Sequence, residues 1–176
     1  MSEFTKATKC NIRTATIDDA EVVLDIQISV FSEGDYFISE SEEFSKTPAE
    51  QREWIQGLLE NEKNTLLVAE VNGEVVGWVV FISQDRKRTA HTGSFGIMIS
   101  KKYRGIGVGK RLLTALLDWA EKNPLIEKVS LGVFSTNDRA ISMYRKMGFT
   151  EEGRKIKEFK MKENVYVDDI LMYKLV

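Results

Sequence analysis

The sequence has few of the features that mark secreted, membrane or nucleic-acid-binding proteins. Only one cysteine, Cys10, occurs among the 176 residues, which excludes a disulfide within one chain and suits a reducing compartment. No apolar run approaches the length of a membrane span, and the opening MSEFTKATK contains no signal-peptide core. The net charge of −2 does not indicate a nucleic-acid or membrane surface. We therefore expect a cytoplasmic protein that binds neither nucleic acid nor a membrane.

Internal repeats and low-complexity linkers are also absent. A chain of 176 residues falls within the size of one domain, so we expect a single domain over residues 1–176, with residues 1–9 as a loose tail. The hydrophobic fraction of 43% and the charged fraction of 30% are typical of a globular protein with a sizeable core. No base partners Cys10 in the sequence, so we interpret it as structural rather than nucleophilic.

One stretch, residues 94–117, carries the strongest chemical signal. A buried-strand pattern ends at Ile97-Met98-Ile99, and helix periodicity begins shortly afterwards. Glycines in the connection let the backbone approach a ligand, and the first N–H groups of the helix have no partner within it. Arg104 and Lys110 add cationic donors. The pattern predicts a site for a ligand that carries phosphate, formed by the segment Arg104-Gly105-Ile106-Gly107-Val108-Gly109-Lys110.

Two common glycine motifs do not fit this segment. A Walker loop requires Ser or Thr after its Gly-Lys pair, but Gly109-Lys110 is followed by Arg111. A dinucleotide fingerprint would place its third glycine at position 110, which is lysine. The remaining pattern is Arg104-x-x-Gly107-x-Gly109. From these residues alone, a glycine-rich turn that binds nothing remains an alternative.

A second spaced motif follows in residues 137–149. Tyr144 lies seven residues after Asn137, two turns further along the same face of the predicted helix. With a reference pKa of about 10, a tyrosine hydroxyl keeps its proton at neutral pH, as a general acid must. Taken separately, Asn137 could be an ordinary N-cap and Tyr144 a core aromatic. The apolar face of this helix is expected to comprise Ala140, Met143, Tyr144 and Met147.

Together these motifs resemble the GNAT family of N-acetyltransferases. The glycine segment is similar to the family's (Arg/Gln)-x-x-Gly-x-(Gly/Ala) turn, which binds the pyrophosphate of acetyl-CoA, and residues 137–149 to its Asn-x-x-Ala-x-x-x-Tyr-x-x-x-Gly-Phe segment. The resemblance implies that acetyl-CoA is the cosubstrate, that no metal is needed, and that Tyr144 protonates the departing thiolate. The cofactor-binding residues that it implies are Ile97, Met98, Ile99, Arg104, Gly105, Ile106, Gly107, Val108, Gly109, Lys110, Asn137 and Tyr144.

The order of predicted elements, β-α-α-β-β-β-α-β-α-β-β, is similar to this family throughout. The predicted strands are 11–15, 65–71, 74–83, 90–99, 128–134, 149–160 and 165–176, and the helices follow Thr16 and Thr47 and span 107–122 and 137–147. Asn72-Gly73 predicts a tight hairpin. The resemblance implies the α/β (α+β) GNAT fold, a mixed central sheet of about seven strands flanked by four helices. It also implies that strands 4 and 5 splay apart, so that pantetheine pairs with the backbone around Ile97–Ile99.

The implied reaction is direct attack of an amine on the thioester, with the backbone N–H of Met98 or Ile99 as oxyanion donor. Many members of the family that the chain resembles have a glutamate on the fourth strand as the base, but this fourth strand contains none. The general base therefore stays open among His91, Ser94 acting through water, and an acid within residues 33–43. His91 lies about eight residues before Ile99, on the order of 25 Å of extended strand, which argues against it.

The acceptor implied by the resemblance is a small amine or polyamine, or a protein N-terminal amine. An acidic and aromatic segment between the first two helices is either a solvated loop or a rim that attracts cations. Its residues are Glu33, Asp35, Tyr36, Phe37, Glu40, Glu42 and Glu43. A non-catalytic domain that binds acetyl-CoA for regulation is the alternative function, and the sequence leaves a homodimer open.

Overall fold

In this computed structural model, residues 9–176 are described. The expected loose tail, residues 1–9, lies outside them except for Lys9. The described residues form seven strands and four α-helices in the predicted order. The strands are β1 (Cys10–Thr14), β2 (Thr65–Val71), β3 (Glu74–Ser83), β4 (Thr92–Ile99), β5 (Lys128–Phe134), β6 (Thr150–Lys162) and β7 (Val165–Leu175). The helices are α1 (Ala20–Phe31), α2 (Pro48–Leu59), α3 (Val108–Lys122) and α4 (Asp138–Lys146).

One mixed sheet, in the order β1-β2-β3-β4-β5-β7-β6, forms the centre of the fold. Helices α1 and α2 cover one side, here called the α1 face, through residues such as Val23 and Ile55. Helices α3 and α4 cover the other side, the α3 face, through residues such as Leu112 and Ile141. The predicted mixed α+β architecture is confirmed. Within residues 9–176, every helix is too short or too polar to cross a membrane.

Local sequence signals account for several of these elements. Asn72 and Gly73 have φ values of 54° and 85°, so the two residues of the predicted hairpin turn are both left-handed. At the start of α2, Thr47 and Glu50 exchange hydrogen bonds in a capping box. The box of Thr16 and Asp19 instead closes a short 3-10 turn, and α1 begins one residue later, at Ala20.

The start of β4 was predicted wrongly, and the apolar face of α4 was predicted incompletely. Strand β4 begins at Thr92 rather than at residue 90, because turn hydrogen bonds from Thr89 N to Arg86 O and from Thr92 N to Thr89 O occupy the preceding residues. The predicted apolar residues of this segment, Ala140, Met143, Tyr144 and Met147, do pack in or against the core. The prediction omitted Ile141, which is buried with Tyr144.

The sheet opens between β4 and β5, as the resemblance implied. These parallel strands pair only at Thr92–Lys128, Gly93–Val129 and Ser94–Ser130. Beyond Ser94, β4 pairs with β3 alone, and beyond Ser130, β5 pairs with β7 alone. Each strand therefore has one unpaired edge along the gap, which we call the β4–β5 opening.

Candidate active site

The β4 edge of the opening exposes the backbone of alternate residues. Ser100 N donates to Val76 O at 2.9 Å, so the backbone groups of Ser100 face β3. Because successive residues of a strand direct their backbone groups to opposite sides, those of Met98 also face β3, where Met98 pairs with Trp78. Ile97 and Ile99 direct theirs into the opening. Of the three predicted residues, Met98 therefore does not offer its backbone at this edge.

The glycine segment follows β4 and turns into α3 with its backbone exposed. Gly105 and Gly107 have φ values of 85° and 93°, which favour glycine, and both are exposed. Arg111 N makes the first helical hydrogen bond, to Gly107 O at 3.1 Å. Residues 104–107 form tight turns, and within the described chain no backbone hydrogen bond of regular geometry is donated by the N–H groups of residues 105–110. This arrangement fits an anion such as a pyrophosphate.

Gly109 allows three elements to meet closely beside this segment. A Cβ at Gly109 would lie 3.1 Å from Ile99 Cδ1 and 3.7 Å from Met143 Sδ. The end of β4, the start of α3 and the middle of α4 therefore pack together here. Tyr144 is the residue after Met143, so the glycine segment and the motif of residues 137–149 meet on one side of the opening.

The guanidinium group of Arg104 is paired within the protein and is therefore not a free cation for a ligand. Its Nη1 and Nη2 atoms lie 2.7 Å from Glu33 Oε2 and Oε1, and its Nε donates to Ile99 O at 2.9 Å. Hydrogen bonds from Arg104 lower the pKa of Glu33 despite partial burial of the carboxylate. The side chain thus ties the end of α1 to the end of β4. Both carboxylate oxygens of Glu33, which was predicted to be part of an acidic rim, accept hydrogen bonds from Arg104.

Other cations surround the glycine segment. Lys110 is exposed on the first turn of α3, as predicted. Arg139, to which sequence reasoning assigned no role, lies on the first turn of α4 with an Nη2 atom 3.5 Å from where a Cβ of Gly105 would be. Its proximity comes from the packing of α4, which its position within the second motif alone does not reveal.

Tyr144 is buried beside the opening, with 6% of its surface exposed. Its ring makes edge contacts with Phe95 and Phe149, at centroid distances of 5.7 and 5.9 Å. Burial raises its pKa to about 12, so the hydroxyl keeps its proton at neutral pH. Among residues 9–176 the hydroxyl has no hydrogen-bond partner, which leaves its proton available to a ligand.

Asn137 caps α4 and still has a free donor. Its Oδ1 accepts from Ala140 N at 3.2 Å, which is the N-cap contact considered as the alternative. Because this contact uses only the carbonyl oxygen, the amide Nδ2 can donate elsewhere. Capping and ligand binding are therefore compatible at this residue.

A cavity of about 380 Å³ lies between the segment that follows α1 and the C-terminal hairpin. Its apolar lining includes Phe31, Phe37, Phe134, Phe159 and Met161, and its charged lining consists of Glu40, Glu42, Glu158 and Lys160. Part of the predicted acidic rim, Phe37, Glu40 and Glu42, is therefore found at this cavity. It lies on the α1 face, opposite Tyr144, and we call it the acceptor cavity after the role that we propose for it.

A bulge in β6 supplies one wall of the acceptor cavity. The register with β7 shifts between Lys155 and Phe159, and Lys157 adopts a φ of 54°. Asp168 holds the bulge by accepting from Lys157 N at 2.7 Å and from Arg154 Nε at 2.8 Å. Phe159 then stacks on Phe134, with ring centroids 4.4 Å apart.

The three base candidates differ in their distance from the opening. His91 is exposed and precedes β4, at the end of the strand remote from Ile99. Ser94 is exposed where β4 and β5 part, and alternation places its side chain on the α1 face with Met98. Of the loop acids, Glu33 is paired with Arg104, whereas Glu40 and Glu42 line the acceptor cavity.

In the described part of the chain, no three His, Cys, Asp or Glu side chains cluster as a metal site would require.

The sequence is similar to known acetyltransferases. The model of the acetyltransferase (GNAT) family matches residues 29–149. The L-amino acid N-acetyltransferase AaaT of Escherichia coli is 30% identical over 119 residues, which cover 68% of this chain and 73% of that protein.

Solved structures agree with the family match. The structure of an acetyltransferase of the GNAT family from Streptococcus pneumoniae superposes with a TM-score of 0.89, at 29% identity over 96% of this chain and 100% of its own. A structure of yncA from Salmonella typhimurium with its cofactor acetyl-CoA shares the fold, with a TM-score of 0.85 at 20% identity over 96% of this chain and 94% of its own. The chain therefore belongs to the acetyltransferase (GNAT) family, as an acetyl-CoA-dependent N-acetyltransferase.

Proposed function

We propose that this enzyme transfers the acetyl group from acetyl-CoA to a small primary amine by direct attack within a ternary complex. One observation carries the proposal, namely that the β4–β5 opening has different surroundings on its two faces. Tyr144 and the glycine segment lie toward the α3 face, and the acceptor cavity lies on the α1 face. Two substrates that enter from opposite faces would meet at the opening without passing through a shared pocket.

The backbone around the opening supplies most of the proposed contacts with acetyl-CoA. The N–H groups of residues 105–110 would bind the pyrophosphate, assisted by Lys110 and Arg139. Ile97 would pair with pantetheine as a neighbouring strand does, and Asn137 Nδ2 would donate to its amide arm. Arg104 is proposed to position the end of β4 through Glu33 rather than to bind phosphate with its guanidinium group.

Charge develops at two atoms during the transfer, and the chain offers a donor for each. We assign the oxyanion to the N–H of Ile99, because the N–H of Met98 faces β3. We assign the departing sulfur to Tyr144, whose hydroxyl keeps its proton at neutral pH. Both donors are fixed by packing before any substrate binds, so little reorganisation is needed during the reaction.

The acceptor cavity favours an amine attached to an apolar or aromatic body. Four phenylalanines and a methionine line it, while its three carboxylates outnumber its single lysine. Its volume is near the lower limit for small-molecule sites, which extends from about 300 Å³ upward. The name of the Escherichia coli relative specifies L-amino acids, which agrees with an acceptor of this size. We propose aromatic L-amino acids and arylalkylamines as the preferred class, ahead of polyamines and peptide N-termini.

Calorimetry and thiol release together test this proposal. We expect saturable binding of acetyl-CoA and none of ATP or NAD, which carry phosphates but no pantetheine. We then expect thiol release from acetyl-CoA to be faster with L-phenylalanine or phenethylamine than with spermidine or a peptide N-terminus. Binding without thiol release in the presence of any amine would contradict catalysis and favour the regulatory alternative. Faster release with spermidine would overturn the acceptor class only.

A further inference from the structure

We propose that Asp169 is the proton acceptor for the attacking amine, an inference that rests on the proposed function. Asp169 lies in β7 opposite Phe134 of β5, which lines the acceptor cavity. Strand β4 contains no glutamate that could act as the base. None of the base candidates considered from the sequence lies in β7. Three features of the structure support this role: a glycine beneath the carboxylate, the face of the sheet on which the side chain lies, and the charges around it.

Gly132 of β5 makes room for the Asp169 carboxylate. A Cβ at Gly132 would lie 2.7 Å from Asp169 Oδ1 and 3.2 Å from Oδ2, so a side chain at this position would displace the carboxylate. Gly132 is exposed, although β5 is an interior strand of the sheet. It lies two residues beyond Ser130, the last residue of β5 that pairs with β4. The carboxylate therefore lies over backbone that borders the opening.

The side chain of Asp169 lies on the α1 face of the sheet, the same face as the acceptor cavity. Leu131 and Val133 belong to the core of the α3 face, as do Ile170 and Met172 of β7. Because side chains alternate along a strand, Gly132, Phe134 and Asp169 face the α1 side. An amine in the acceptor cavity would thus approach the opening along the face that carries this carboxylate.

The charges around Asp169 leave it available as a base. Only 8% of the residue is exposed, and its one cationic neighbour from β6 is Lys155, whose Nζ lies 3.7 Å from Oδ2. Glu158 of β6 adds negative charge nearby, and β5 contributes only the Val133 N–H. Burial, reinforced by Glu158 and opposed by Lys155 and Val133, raises the pKa of Asp169. A raised pKa makes a carboxylate a better proton acceptor near neutral pH.

The neighbouring Asp168 provides a contrast in chemistry. Hydrogen bonds from the backbone of Lys157 and from Arg154 lower its pKa, and both of its carboxylate oxygens are occupied. Asp168 is therefore committed to the β6 bulge. The two adjacent carboxylates have pKa values shifted in opposite directions, which separates a structural acid from a reactive one.

The proposed reaction moves two protons from the amine and one proton to the departing sulfur. An alkylammonium acceptor first loses one proton to water, and its lone pair then forms the C–N bond with the thioester carbon. As that bond forms, the nitrogen becomes acidic and its second proton passes to Asp169. The C–S bond breaks, and the sulfur takes the electron pair and a proton from Tyr144. Exchange with water returns both side chains to their starting states, with a net release of one proton per acetyl group transferred.

The test compares three variants at several pH values. We expect Asp169→Asn to lower kcat by about 100-fold or more, the usual contribution of a general base, and to remove the acidic limb of the pH–rate profile. Gly132→Ala should also lower kcat, because its Cβ displaces the carboxylate. Asp168→Asn is the matched control, expected to lower thermal stability and raise the acceptor KM while the acidic limb persists.

Stability measurements separate catalysis from a structural role. A carboxyl group with a raised pKa in the folded state contributes stability that is lost as the pH rises through that value. Asp169→Asn should therefore melt no lower than the parent at pH 7 and should bind acetyl-CoA as the parent does. A parental turnover and pH profile in both Asp169→Asn and Gly132→Ala would overturn this inference alone. Absence of acetyl transfer by the parent enzyme would instead overturn the proposed function.

Discussion

Burial gives the Tyr144 hydroxyl a pKa of about 12, well above the value of about 8.5 for a free thiol. Complete proton transfer to a thiolate is therefore uphill from the ground state of the enzyme. A hydrogen bond that strengthens as negative charge develops on sulfur accounts for most of the expected stabilisation. Hydrogen bonds to charged groups contribute about 1.5–3 kcal/mol, which corresponds to a rate effect of roughly 10- to 150-fold.

Tyr144→Phe tests this contribution directly. The phenylalanine ring keeps the contacts with Phe95 and Phe149, so folding and acetyl-CoA affinity should be close to parental. We expect kcat to fall by roughly 10- to 150-fold, measured by thiol release at saturating substrate. Unchanged turnover across the pH range would remove Tyr144 from the role of acid.

Gly107→Glu tests the anion site in the glycine segment. A Cβ at this position would meet nothing within 4 Å, so the cost to stability is the left-handed φ of 93° alone, about 1–2 kcal/mol. The added carboxylate would repel a pyrophosphate, and we expect acetyl-CoA binding to be lost in calorimetry while the protein stays folded. Gly107→Ala has the same strain without the charge and should retain binding. Normal binding by the glutamate variant would contradict the assignment.

At the scale of elements, the pair between Glu33 and Arg104 connects the segment after α1 to the end of β4. Arg104 is about one-third exposed, with 30% of its side chain accessible, and Glu33 retains 18%. Solvent screening therefore reduces the pair's contribution to stability, to about 1 kcal/mol. The contact also fixes the carbonyl of Ile99, through Arg104 Nε, next to the proposed oxyanion donor.

Glu33→Gln should weaken this connection in a pH-dependent manner. The folded-state pKa of Glu33 is lowered from 4.5, so the pair stabilises the protein above that pH, and its contribution is lost as the pH falls through the lower, folded-state value. We expect the variant to melt a few degrees below the parent at pH 7, and the difference to shrink as the pH falls below 4.5. A difference that does not shrink with falling pH would indicate a packing effect rather than an ion pair.

Most elements could be predicted because their signals are local. The Asn72-Gly73 turn, the Thr47 capping box and the glycine segment are each encoded within a few residues. The pairing of Arg104 with Glu33 could not be predicted, because 71 residues separate them in sequence. Asp169 has no motif either. It becomes notable only when the sheet register places it over Gly132.

At the scale of the whole molecule, binding of acetyl-CoA should stabilise both halves of the fold together. A ligand at 100 times its Kd adds about 2.7 kcal/mol to the free energy of unfolding. For a chain of this length, that corresponds to a rise in Tm of roughly 5–11 °C. Thermal melts with acetyl-CoA should show this rise, and melts with ATP should not. Gly107→Glu should show no rise with either ligand.

The short contact between β4 and β5 also bears on how the enzyme releases its products. In the described chain, three residue pairs provide the strand pairing between β1–β4 and β5–β7, while the core on the α3 face is shared by both halves of the sheet. A molecule bound in the opening would contact both halves through backbone groups that pair with no other strand. Its release would therefore break contacts with the ligand and leave every strand pair of the sheet in place.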